Sequence, residues 1–156
     1  MSSQPNFMPI ATEFMGVVFR SKSEAIFAKA LHDLGYWFRY EPSYFDVDGW
    51  KPDFHVLMTG GKSMLEVIIE YKPANVSETY RKSLEKRFCH LYNKHALYDV
   101  CFSLASMSAY ESGLDGLEQY SCGENQWHKA KVITELLQNK MASAKLYRFD
   151  LAKAIK

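Results

Sequence analysis

The 156 residues fit one domain, and a composition that is 47% hydrophobic and 15% aromatic supplies enough material for a single core. Lys and Arg number 19 against 18 Asp and Glu, a formal net charge of +1, which excludes a molecule-wide attraction for polyanions and confines any nucleic-acid affinity to a local patch. Three widely spaced cysteines argue against a disulfide framework and do not suit a zinc cluster, and no segment approaches the roughly 20 apolar residues of a membrane helix.

Along the chain, residues 1–16 read as a loose arm. Its apolar residues are interrupted by Pro9, Thr12 and Glu13, unlike a secretory leader, so a cytoplasmic protein without a membrane partner is expected. Ser21-Lys22-Ser23-Glu24 is a capping box. Behind it Ile26, Phe27, Ala30, Leu31 and Leu34 recur at helical spacing until Gly35 stops the helix. Residues 36–40 are aromatic-rich and close on Glu41-Pro42, which predicts a strand. Asp48-Gly49 marks a turn before a second strand over 50–58, with Pro52 near its start, and Gly60-Gly61 connects this strand to a third over 63–72.

Residues 77–92 predict a second helix, with Tyr80, Leu84, Phe88 and Leu91 on one stripe. Residues 98–104 predict a fourth strand, 106–123 read as loops rich in Ser and Gly, and 127–141 predict a closing helix from Val132, Ile133, Leu136 and Leu137. That closing stripe suits core packing or a dimer contact. A hairpin together with a strand-helix-strand crossover predicts an α/β fold, a mixed sheet with helices on its faces.

The third strand ends in Glu70-Tyr71-Lys72. Alternation puts Glu70 and Lys72 on one face and Val67, Ile69 and Tyr71 on the other. Counting outward from Gly60-Gly61, Asp53 lies about 7–8 residues away and Glu70 about 9–10, so the two become near neighbours with a small offset or bulge. Two converging carboxylates repel unless a cation sits between them, and hard oxygen ligands favour Mg²⁺, which takes only one or two protein carboxylates. Such an ion would polarise a phosphate and lower the pKa of a bound water, with Lys72 orienting the water or offsetting charge: phosphodiester hydrolysis. Glu24, whose i+3 and i+7 partners are Phe27 and Leu31, lies on the core side of its helix. It suits helix capping and metal assistance equally. An exposed edge strand would also carry Glu and Lys two apart, and Asp53 alone would suit a turn after proline. Their joint appearance favours the site.

Basic residues offer phosphate contacts at Arg20 and Lys22 before Glu24, and in the cluster Arg81, Lys82, Lys86 and Arg87 on the second helix, where Lys82 and Lys86 share a face. Glu78 and Glu85 nearby make a solvated face the plainer reading of the latter pair. His55 shares a face with Asp53 but has no partner pattern of its own.

The layout Ser23-Glu24-Ala25 on a first helix, Tyr40-Glu41-Pro42 closing a first strand, Pro52-Asp53-Phe54 on a second and Ile69-Glu70-Tyr71-Lys72-Pro73 on a third resembles the PD-(D/E)XK nuclease superfamily, the restriction-endonuclease-like fold. Within it the pattern is most similar to the branch of transposon-end-cleaving endonucleases and related small phage or bacterial nucleases. The resemblance covers roughly residues 21–104. It implies an αβββαβ core and metal-dependent DNA cleavage. Asp53 and Glu70 would be Mg²⁺ ligands, with Mn²⁺ able to substitute, Lys72 the catalytic lysine and Glu24 the assisting helix acid. Tyr71 replaces the usual small or aliphatic residue of the triplet and faces away from the site. A homodimer would let two sites address both strands, and a partner protein could supply DNA affinity. The alternative is a catalytically weak or inactive relative of the fold that binds nucleic acid or protein, such as a phage-encoded modulator. Retention of both acids and the lysine favours the enzyme.

Overall fold

The computed structural model describes residues 11–60, 63–72, 76–106 and 118–129. Local chemistry accounts for the first helix, α1 (Lys22–Asp33): the Ser21 backbone is extended and its Oγ accepts the Glu24 amide at 3.2 Å. At the other end Tyr36 N–H donates to Leu31 O and Gly35 N–H to His32 O, with Gly35 at φ +81°. That left-handed closure is one glycine favours, and it turns the chain into β3 (Trp37–Tyr40).

Ahead of α1 the structure departs from the predicted arm. Thr12–Phe14 (β1) and Val17–Phe19 (β2) pair antiparallel around Met15 and Gly16, both at positive φ. Phe19 is fully buried, and the Phe14 ring meets His32 of α1 edge-on, so this hairpin is held by side chains that reach the core and α1. Residues 1–10 lie outside the described residues.

A turn of 3₁₀ helix (Ser43–Phe45) and a tight Val47–Trp50 bridge lead into β4 (Phe54–Gly60). The predicted strand began at residue 50; the ladder begins at Phe54, beyond Pro52, which has no amide to donate. β5 (Ser63–Lys72) follows as expected, then α2 (Glu78–Lys94), capped by Ser77, and β6 (Val100–Ser106). Two further strands replace what read as loop and helix: β7 (Glu118–Ser121) and β8 (Gln126–Lys129). Tyr120 of β7 is buried, and Trp127 of β8 lies 5.1 Å from its ring and donates Nε1–H to Glu85 of α2. The remainder of the predicted closing helix, with its Val132 to Leu137 stripe, lies outside the described residues, as do residues 107–117.

The main sheet runs β3-β4-β5-β6-β7-β8, antiparallel throughout except for the parallel β5-β6 pair that α2 connects. Its alternation divides the core. Phe54, Val56, Val67, Ile69 and Tyr71 pack with Phe27, Ala28 and Leu31 of α1, while Ile68, Phe102, Leu104 and Tyr120 pack with Leu84, Phe88 and Leu91 of α2. Each large apolar side chain so buried contributes about 1.5–3 kcal/mol. The result is a mixed α/β fold in which the two helices pack with opposite faces of one sheet. No helix among the described residues is long and apolar enough to cross a membrane.

Candidate active site

The hairpin register decides where the acids fall. Gly60 faces Ser63 and Phe54 faces Ile69, so one further step puts Asp53 opposite Glu70 without the offset or bulge the sequence count allowed for. The Asp53 amide donates to Glu70 Oε1 at 3.3 Å, and the Tyr71 amide donates to Asp53 Oδ2 at 2.8 Å. Both side chains are buried, Asp53 at 1% exposure and Glu70 at 2%. Burial first, and the Glu70 charge second, push the Asp53 carboxyl up to about 8 against the opposing pull of the Tyr71 amide. The pair therefore favours positive charge beside it.

Lys72 supplies part of it. Its Nζ lies 3.9 Å from Glu70 Oε2 and 5.0 Å from the centre of the Tyr80 ring. Tyr80, in the first turn of α2, donates its hydroxyl to the same Glu70 oxygen at 2.5 Å. Burial and the Glu70 charge raise the Tyr80 pKa, which keeps the phenol a donor. Tyr71 turns the other way, 5.1 Å from the Phe27 ring, as the alternation required.

Glu24 is buried at the start of α1, where Oε1 accepts from Ser21 Oγ at 3.0 Å and Oε2 from the Tyr40 hydroxyl at 3.3 Å. Arg20 ties it to the acid pair: Nη2 is 2.7 Å from Asp53 Oδ1 and 3.5 Å from Glu24 Oε2, and Nε is 2.8 Å from Glu41 Oε2. Arg20, expected at a phosphate, is therefore turned toward carboxylates.

Asp53, Glu70 and Lys72 open onto a cleft of about 230 Å³ whose walls also carry Glu41, Arg20, Lys51 and Arg87. Trp50 and Tyr80 complete the aromatic part of the wall, with the Arg87 guanidinium 5.4 Å from the centre of the Trp50 ring. The lining carries three acids, Asp53, Glu70 and Glu41, and four cations, Arg20, Lys51, Lys72 and Arg87.

No family model, curated protein or solved structure matches this chain. The site therefore rests on its own geometry and chemistry. Among the described residues no group of three or more His, Cys, Asp or Glu side chains is arranged to hold a metal ion. What is assembled is a pair, Asp53 and Glu70, hard oxygen donors in the number Mg²⁺ takes from a protein when water completes its shell, so the donor set fits that ion. Glu24, expected to assist as a third ligand, faces Ser21, Tyr40 and Arg20 instead.

The other basic residues named from sequence lie elsewhere. Lys22 opens α1, and Lys82 and Lys86 are exposed about half a helical turn from Leu84, on the side of α2 away from the sheet. None of the three lines the cleft. His55 packs among Trp37, Tyr44 and Phe45, with Nδ1 2.8 Å from the Tyr44 hydroxyl and Nε2 3.4 Å from Glu66 Oε1, a buried histidine with two polar neighbours.

Sequence reasoning gave no place in the site to Glu41, Lys51, Trp50 or Tyr80, and Arg87 only a place in the basic cluster of the second helix. Tyr80 and Arg87 are seven apart, hence on one helix face, a spacing that was legible. Glu41 left no such signal; its backbone marks it instead. Its φ is +44°, unfavourable for a residue with a side chain and before a proline, a strain of about 1–3 kcal/mol. Its amide donates to Asp53 O at 2.8 Å, which fastens the strained residue beside the acid pair.

Proposed function

We propose that the protein is a Mg²⁺-dependent DNA endonuclease built on a restriction-endonuclease-like core, with Asp53, Glu70 and Lys72 at its centre. The observation that carries this reading is the pairing of Asp53 with Glu70 across β4 and β5, both buried, beside the Lys72 ammonium in one cleft. The succession α1-β3-β4-β5-α2-β6, with β5 and β6 parallel, supports an αβββαβ assignment. A cytoplasmic location agrees with three free thiols.

Asp53 and Glu70 would hold Mg²⁺, which when bound supplies Lewis-acid polarisation of the scissile phosphate. The chain's own groups do the rest. The Tyr71 amide and the Tyr80 hydroxyl fix the two carboxylates, so that little reorganisation accompanies the reaction. Lys72, at the open end of β5, presents a cation to the developing phosphate charge and can donate a proton to an oxygen there. Arg87 and Lys51 on the cleft wall are placed to neutralise neighbouring phosphates, and Trp50 offers an aromatic surface to a base or sugar. One cleft cuts one strand; a homodimer would bring two.

Purified protein incubated with plasmid and linear DNA in Mg²⁺ or Mn²⁺ tests the assignment. Wild type is expected to nick or linearise the plasmid, and Asp53→Ala and Lys72→Ala to lose about a hundredfold or more of the rate. Cleavage that survives both substitutions would refute the site.

A specific observation favours a second reading, a nuclease-fold factor that binds nucleic acid or protein without cutting. Each carboxylate oxygen of Asp53 and Glu70 already has a donor or cation within 3.9 Å, from the Tyr71 and Asp53 amides, Arg20, Tyr80 and Lys72. Binding of DNA by the intact protein with no cleavage of DNA or RNA in either metal would select it.

A further inference from the structure

Arg20 stands where positive charge is wanted. Its Nη2 contacts Asp53 Oδ1 at 2.7 Å, while its Nε lies 2.8 Å from Glu41 Oε2 and donates to the Tyr40 hydroxyl at 3.3 Å, yet the side chain is 59% exposed. Asp53 is 1% exposed and Glu24, the third acid it touches, 6%. The solvent-facing partner in this cluster is therefore the arginine, while Asp53 and Glu24 are the buried ones. Glu41 owes its place to a left-handed backbone ahead of Pro42, an arrangement kept although it is locally unfavourable, and the carboxylate so aimed grips the guanidinium.

We propose that Arg20 is the resident counter-ion of the acid cluster, anchored by Glu41, and that a divalent cation entering at Asp53 has to displace its Nη2 from Oδ1. The inference rests on the metal-dependent reading above and adds a residue that sets the ion concentration at which the site loads. Two cations cannot share Asp53 Oδ1 at contact distance without strong repulsion, and Asp53 is too buried for water to screen the exchange fully. Tethered through Nε to Glu41, the guanidinium stays at the cleft wall after Nη2 is released.

Mn²⁺ binding to the full chain without nucleic acid, followed by titration calorimetry and by the spin-resonance signal of the free ion, tests this. Arg20→Gln is expected to bind Mn²⁺ about tenfold more tightly than wild type, the effect of removing one opposing charge near the ion, and Asp53→Asn to lose the site. Equal or weaker binding by Arg20→Gln, where wild type binds, overturns the counter-ion role and leaves the metal reading standing. Absence of binding by both wild type and Arg20→Gln overturns the metal reading and this inference with it. Since Arg20→Gln leaves three acids without their cation and its fold is at risk, a second measurement uses the unaltered protein. The Arg20 Nε–H resonance, assigned by its absence in Arg20→Lys, is expected to shift saturably with Mg²⁺; a resonance unmoved once the calorimetric site is full refutes displacement.

Discussion

Asp53 carries conflicting demands. It is buried, faces a second carboxylate, and accepts a backbone amide that an ionised oxygen accepts best. Its pKa in the folded chain, about 8, stands above the ordinary 3.8, so between those values the folded protein holds a proton that the unfolded chain has released. This carboxyl therefore contributes stability that is greatest at the acid end of the window and is lost as pH rises through it. Thermal unfolding followed by circular dichroism is expected to give a lower Tm at pH about 8 than at pH about 5 in chelator, with the difference reduced in Asp53→Asn. Added Mg²⁺ should raise the wild-type Tm more at the higher pH, where the proton no longer competes. A Tm that climbs with pH in chelator would contradict the assignment of this carboxyl.

At the scale of elements, the signals with short-range causes were readable in advance. α1 follows from a cap, a periodic stripe and a glycine stop, and β5 from alternation between turn glycines and proline, because each depends on neighbours within a few residues. Ser21 joins element and site, since its Oγ accepts the Glu24 amide and donates to the Glu24 carboxylate. Ser21→Ala is expected to cost about 1–2 kcal/mol in urea unfolding, at the upper part of the N-cap range because both bonds go. A loss within error would mean that Tyr40 and Arg20 alone hold Glu24. β7 and β8 were not readable for the opposite reason. Each is 4 residues long, and what makes them strands is the β6-β7-β8 pairing, the burial of Tyr120 and the packing of Trp127 against α2, contacts made far along the chain. Trp127 at the head of an apolar stretch resembled a helix start; its Nε1–H bond to Glu85 and the β7 ladder place it in a strand. The β1-β2 hairpin escaped notice likewise, with 3 residues to each strand, Phe19 buried and Phe14 partly buried against the core.

For the whole molecule, a formal charge of +1 means that the proposed phosphate affinity would have to come from a local patch such as the cleft wall, where Lys51, Lys72 and Arg87 gather. Arg87→Ala is expected to weaken binding of a short oligonucleotide by about tenfold in moderate salt and to flatten its salt dependence by about one phosphate contact. The double substitution Lys82→Ala/Lys86→Ala should change binding less, as those side chains face away from the sheet. Fluorescence anisotropy at two or more salt concentrations separates the outcomes, and a larger loss from the outer pair would move the nucleic-acid surface to the back of α2. The amino-acid order alone determined the mixed α/β character, the succession from α1 to β6, and the acid-acid-lysine set, since alternation, capping and turn chemistry act locally and hairpin counting brings Asp53 within reach of Glu70. Only the tertiary structure decided that Arg20 and Glu41 close over Asp53, that Tyr80 and Arg87 of α2 complete the cleft, and that the sheet extends to six strands. Those outcomes depend on which faces meet when α2 crosses from β5 to β6, a matter of long-range packing and non-local hydrogen bonding that residue spacing does not encode.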